Sequence, residues 1–168
     1  MERQSVADIV RALNDAQVRY LVVGGVAVVS HGYVRFTADL DLILDLGEVN
    51  VRRAVSALIL LGYRPRAPVP FEQFADAERR EEWISQKGLT VFSLFSDQHP
   101  ATEVDLFVTE PLDFVAAYSR AERKELMAGV SATFVSVDDL LEMKEQAGRP
   151  QDLEDAAKLR RLKENADG

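Results

Sequence analysis

"YLVVGGVAVVSHGYVRFTADLDLILD" (residues 20–45) begins and ends as an apolar strand, yet carries two adjacent glycines and an Asp-x-Asp between its ends. Side chains alternate across a strand, so Asp39 and Asp41 project to one side and Leu40, Leu42 and Leu44 to the other. Asp45 shares the acidic side near the strand's end. The pattern predicts a short strand over 20–23 closed by Gly24-Gly25, a short helix over 26–31 stopped by Gly32, and a second strand over 39–46.

A later stretch repeats the device. In "TEVDLFV" (residues 102–108), Glu103 and Asp105 fall on one face, and Val104, Leu106 and Val108 on the other. Were the two strands neighbours, three or four carboxylates would meet on one patch of sheet. Such a cluster is unfavourable alone, because each charge disfavours ionisation of the next. Divalent cations relieve it: Mg²⁺ takes one or two carboxylates plus substrate phosphates. The same alternation also suits a half-exposed sheet with charged residues on its wet side.

Outside these strands, Ser5 with Asp8 has the spacing of a capping box, with Ile9 and Leu13 as a buried stripe behind it. A helix is expected over 49–61, ended by Gly62. "RPRAPVP" (64–70) reads as a loop on account of its three prolines. Residues 71–80 read as a weakly amphipathic helix, and 83–84, 89–96 and 103–108 as strands, the last two joined by the turn "SDQHPAT". A helix from Pro111 to Tyr118 and a hairpin turning at Gly129 follow. Ser136 with Asp139 caps a helix to Gln146, Gly148 stops it, and Pro150 opens a last helix whose tail, "ENADG", frays. The whole chain, 1–168, reads as a single α/β (α+β) domain: a small mixed sheet, helices mainly on one face, and C-terminal helices over 137–164.

Composition narrows the function. A net charge of −8 and a Phe-dominated aromatic set (8 Phe, 4 Tyr, 1 Trp) argue against electrostatic binding of duplex DNA. Lys158, Arg160, Arg161 and Lys163 form the best local basic cluster, and acids one turn earlier suit a solvated helix face equally well. With no cysteine, disulfides, thiolate nucleophiles and Cys-based metal sites are excluded. The N-terminal "MERQSVADIV" is polar and acidic, unlike a signal or transit peptide, and no apolar run approaches a membrane span. A soluble, cytoplasmic protein is expected. His31 and His99 read as structural loop and turn residues, and no serine sits on a hydrolase elbow.

Gly24-Gly25, between strand and helix, suits either a tight turn or backbone N–H groups presented to a phosphate. It lacks the third glycine of a dinucleotide fingerprint and the Gly-Lys-Ser/Thr of a P-loop. Arg35 and Thr37 supply a guanidinium and a hydroxyl near Asp39, either for phosphate oxygens or facing solvent.

Taken together, Gly-Gly-x-Ala, His-Gly, Arg-x-Thr-x-Asp-x-Asp, "EVDLF" and the late "GRPQDLEDAAKL" resemble the nucleotidyltransferase superfamily that includes DNA polymerase β. More narrowly, they are similar to the nucleotidyltransferase components of type IV toxin–antitoxin systems and their uncharacterised relatives. The resemblance covers residues 18–46, 102–108 and 137–160, and is absent from 64–100. It implies a nucleotidyltransferase fold with C-terminal helices beside the cleft. It implies Mg²⁺, in a two-metal site, on Asp39, Asp41 and Asp105 as metal-binding and catalytic residues, with Asp105 assisting deprotonation of the acceptor. An NTP such as ATP would be bound at Gly24, Gly25, Arg35, Thr37 and Lys144, with Arg149 and Asp152 bracing the wall. Many members carry serine at the position of Gly25. The implied activity is transfer of an NMP to a hydroxyl of a protein, an RNA end such as tRNA, or a small molecule such as an antibiotic. A cognate toxin or antitoxin is the implied protein partner. A weakly active or inactive binding subunit on the same fold is the rival reading.

Overall fold

The computed structural model describes residues 2–32 and 37–167. Arg35 lies outside the described residues. The chain begins with α1 (Arg3–Asp15), β1 (Tyr20–Val23), α2 (Gly24–Ser30), β2 (Asp39–Leu44) and α3 (Glu48–Leu60). There follow β3 (Arg64–Pro65), a 3₁₀ turn (Phe71–Ala75), α4 (Ala77–Lys87), β4 (Val91–Phe95) and β5 (Glu103–Phe107). It ends with α5 (Phe114–Ser119), β6 (Glu122–Met127), β7 (Val130–Phe134), α6 (Val137–Ala147) and α7 (Pro150–Asp167).

The described residues thus form a mixed α/β structure on one seven-stranded sheet, in the order β3-β4-β5-β2-β1-β7-β6. β2 runs parallel to β5 and β1 parallel to β7; the other neighbours are antiparallel. Leu40, Leu42, Val104, Leu106, Phe92 and Leu94 are buried, and the alternate residues of the same strands are half-buried, apart from Ile43. Phe92 stacks on Trp83 of α4 (centroids 5.0 Å apart) and packs against Phe71 and Phe74 of the 3₁₀ turn. The 3₁₀ turn packs on α3, and α3 on α1, so this face of the sheet is roofed by one run of helices. On the other face lie α2, which abuts Asp41, then α6 and α7 in sequence of contact. Helices therefore flank both faces, where helices mainly on one face had been expected, and the sheet is larger than the small one anticipated.

Local chemistry explains most of the elements. Ser136 Oγ accepts from the Asp139 N–H at the start of α6, and Gly148 ends that helix in the left-handed conformation. The capping box at Ser5 is not formed: α1 starts two residues earlier, and Ser5 is buried against His99 Nδ1 at 2.8 Å. "RPRAPVP" contributes a strand after all. Arg64 and Pro65 pair with the end of β4, because an edge strand has one side on which a missing N–H is harmless. Trp83 and Ile84, expected in a strand, lie in α4: Asp76 caps the helix, and the single turn of helix before it uses up residues 71–75. Pro111 precedes a helix that starts later, where Asp113 accepts from the Ala116 N–H. The last helix runs through Asp167 and so takes in most of the tail expected to fray. No helix among the described residues is long and apolar enough to cross a membrane.

Candidate functional site

β2 and β5 are neighbours, in a register that sets Asp39 opposite Glu103 and Asp41 opposite Asp105. Because the two strands alternate in phase, all four carboxylates share a face. A cleft of about 770 Å³ opens over that face. Its floor holds Asp39, Asp41 and Asp105; Gly24, Gly25 and Thr37 border it on one side, and Lys144, Arg149 and Asp152 on another. Seven of the eight residues singled out from sequence therefore line one cavity; the eighth, Arg35, is outside the described residues.

The electrostatics are those of crowded acids. Burial, then the charges of Asp105 and Asp39, push the Asp41 carboxyl up to about 7, and a carboxyl–carboxylate hydrogen bond to Asp105 adds to this. The Lys144 ammonium acts in the opposite sense. Asp39 is raised by burial and by Asp105, with Arg66 opposing. Near neutral pH, the Asp41 carboxyl thus holds its proton for part of the time.

Gly24 explains how Asp41 fits. The glycine has φ +67°, and a Cβ built on it would lie 1.9 Å from Asp41 Oδ2. The first residue of α2 is bare because the carboxylate takes up the space of its side chain. Thr37 donates its hydroxyl to the backbone oxygen of Asp39 at 3.3 Å, which ties the entry to β2.

The third wall comes from the α6–α7 break. Lys144 is buried, with its ammonium 3.2 Å from Asp152 and 3.1 Å from Asp155. Asp152 also accepts from Arg149 Nε at 2.6 Å and from the Arg149 backbone N–H. Burial works against the charge of Asp152, but the bonds from Arg149 and Lys144 prevail and hold its carboxyl below the usual range. Lys144 lines the cleft, then, but as one member of a buried ion cluster. Arg149, with a side chain 77% exposed, is the more accessible cation of this wall.

Sequence reasoning did not reach the apolar lining. Val91, Phe107, Leu140 and Met143 line the cleft; Phe107 continues the Glu103–Asp105 alternation, which was the available signal. The basic cluster near the C-terminus is not a free patch: Lys158 pairs with Glu154, Arg160 with Glu145 and Lys163 with Asp138. His31 Nε2 is 2.8 Å from the carbonyl of Val135, and burial lowers its pKa. Both histidines are engaged with other elements of the fold.

The donor set suits a hard divalent cation. Among the described residues, Asp39, Asp41 and Asp105 have no cationic side chain within ion-pair distance, and the charge of Asp105 raises the proton affinity of Asp39 and Asp41. Among the same residues no three side chains are already drawn together as a closed ligand group. Compared with models of known families and with curated proteins, the chain matches none.

Proposed function

We propose that the chain is a nucleotidyltransferase of the DNA polymerase β-like fold, using Mg²⁺ to move an NMP from an NTP to a hydroxyl. One observation carries this reading: Asp41 and Asp105 face each other across parallel strands, two residues from Asp39, on the floor of a cleft bordered by a glycine turn. Asp39, Asp41 and Asp105 would hold the ion, which when bound supplies positive charge for the reacting phosphate oxygens.

The chain's own residues then have defined tasks. Four carboxylates and two cations among the lining residues named above give the cleft a negative balance, so a triphosphate enters only with its counter-charge. The backbone at Gly24 and Gly25 borders the phosphates, and Arg149 is the exposed cation for their outer oxygens. As the acceptor oxygen bonds to the α-phosphorus, the bond from that phosphorus to the pyrophosphate oxygen breaks. The hydroxyl proton passes to a carboxylate oxygen of Asp105. Holding the ion requires Asp41, whose carboxyl is pushed up to about 7, to give up its proton, so affinity falls as the pH drops below neutrality.

The acceptor in this reading is a protein, an RNA end or a small molecule, with a toxin–antitoxin partner as one setting and the cytoplasm as the compartment. A second reading, nucleotide binding without transfer, draws on the engagement of Lys144 by Asp152 and Asp155 and on the missing hydroxyl at Gly25. Thermal shift with ATP, GTP, CTP and UTP tests the site, since a ligand bound only to the folded state stabilises it. A rise in Tm that needs both nucleotide and Mg²⁺, and is lost in Asp39→Ala/Asp41→Ala, is expected. The same rise in that variant, or none in the native protein, overturns the reading. Incubation with labelled NTP, total RNA and the neighbouring gene product then separates transfer from binding.

A further inference from the structure

Residues 64–100 carry no motif that points to chemistry, yet they extend the sheet that holds the carboxylates. β4 runs antiparallel to β5 with Ser93 opposite Asp105 and Val91 opposite Phe107. β3 adds to β4 with Arg64 opposite Phe95, and the Arg66 N–H continues the ladder to the Ser93 carbonyl at 3.0 Å. Alternation puts Val91, Ser93 and Phe95 on the face of Glu103, Asp105 and Phe107. One surface therefore runs from Asp39 and Asp41 through Asp105 and Ser93 to the edge of the sheet.

At that edge two arginines share one aromatic ring. The guanidinium carbons of Arg64 and Arg66 lie 4.8 and 5.0 Å from the centroid of Phe95. Arg66 pairs with Glu103, which sits opposite Asp39, and Arg64 pairs with Asp97 at 2.7 Å. Both arginine side chains are more than half exposed. Exposed pairs of this kind are weak, so they orient the guanidinium groups without consuming them. Planar forks held on a ring are the geometry that accepts phosphate oxygens two at a time.

We propose that Arg64, Arg66 and Phe95 form a subsite for a phosphate carried by the acceptor itself, whose hydroxyl lies at Asp105. This rests on the transfer reading given above. Strand and residue spacings put the arginine edge roughly 10 Å from Asp105, about the length of one nucleotide or sugar-phosphate unit. The body of such an acceptor lies along Ser93 and Phe95. Glu103 competes with the acceptor's phosphate for Arg66, and so sets how tightly that phosphate is held.

Three probes test this in EDTA, where the uncompensated carboxylates repel phosphate from the cleft floor. They are ribose 5-phosphate, the 5′-phosphorylated dinucleotide pApA and its unphosphorylated counterpart ApA, measured by calorimetry. At least one phosphorylated probe is expected to bind 10-fold or more tighter than ApA. Ribose 5-phosphate as the tighter binder indicates a small metabolite, and pApA an RNA end. Arg64→Gln/Arg66→Gln removes the advantage, Phe95→Leu weakens it, and Glu103→Gln increases it several-fold. No phosphate preference in the native protein, or a preference unchanged in the double arginine variant, overturns the proposal. The thermal shift with Mg²⁺ and NTP is recorded on the same variants and is expected to persist in all three. If that shift is absent from the native protein while the phosphate preference holds, the transfer reading and the acceptor role fall, and an anion site on the sheet edge is what stands.

Discussion

The carboxylate of Asp41 lies where a side chain on Gly24 would have to be: a Cβ at that position would stand 1.9 Å from Oδ2. The glycine turn and the acidic strand are thus one device, and neither is free to change without the other.

Gly24→Ala combines that overlap with a left-handed φ that alanine tolerates poorly. Chemical denaturation should show a loss of about 2 kcal/mol or more. The double variant Gly24→Ala/Asp41→Ala should lose less than the two single effects combined, because the overlapping oxygen is gone.

Asp41→Asn should stabilise the protein in EDTA at pH 8 and make little difference at pH 4. Folding raises this carboxyl from an ordinary value to about 7, so the native state binds the proton more tightly than the unfolded chain does. That stabilisation is complete below the unfolded pKa and is lost as the pH rises through 7. The asparagine amide keeps a donor toward Asp105 at every pH. The difference at pH 8 should be on the order of 2–4 kcal/mol, read from paired denaturation curves.

Lys144→Met removes the ammonium that two buried aspartates share. A loss of about 3–5 kcal/mol is expected at pH 7, because it takes away a counter-charge that two buried carboxylates share. Adding Asp155→Asn to that variant should restore part of the loss; a variant as stable as the native protein would mean the cluster contributes nothing.

Phe92→Ala should cost about 3–5 kcal/mol, since this ring joins Phe71, Phe74 and Trp83 beneath the sheet. Trp83 is the sole tryptophan, so its fluorescence reports the loss directly. The same variant should loosen β4 and weaken phosphate binding at Arg64 and Arg66.

How much was legible followed from how local the cause was. The strand at Tyr20–Val23 was readable to the residue, because its apolar run ends at a glycine whose φ only glycine adopts easily. The start of α6 was readable because Ser136 and Asp139 are three residues apart and cap it directly. Trp83 was misread as a strand residue because its helix is set by a cap seven residues earlier and by contact with Phe92. Ser5 was misread because its partner, His99, is 94 residues away.

By itself the sequence determined which side chains share a strand face: Asp39 with Asp41, and Glu103 with Asp105. That follows from the period of a β-strand and needs no knowledge of neighbours. Only the tertiary structure decided that the two acidic faces meet in register, that Lys144 is tied to Asp152 and Asp155, and that Arg64 and Arg66 sit on Phe95 at the end of the same surface. Strand order and register are set by the packing of the whole core, and no short window of residues encodes them.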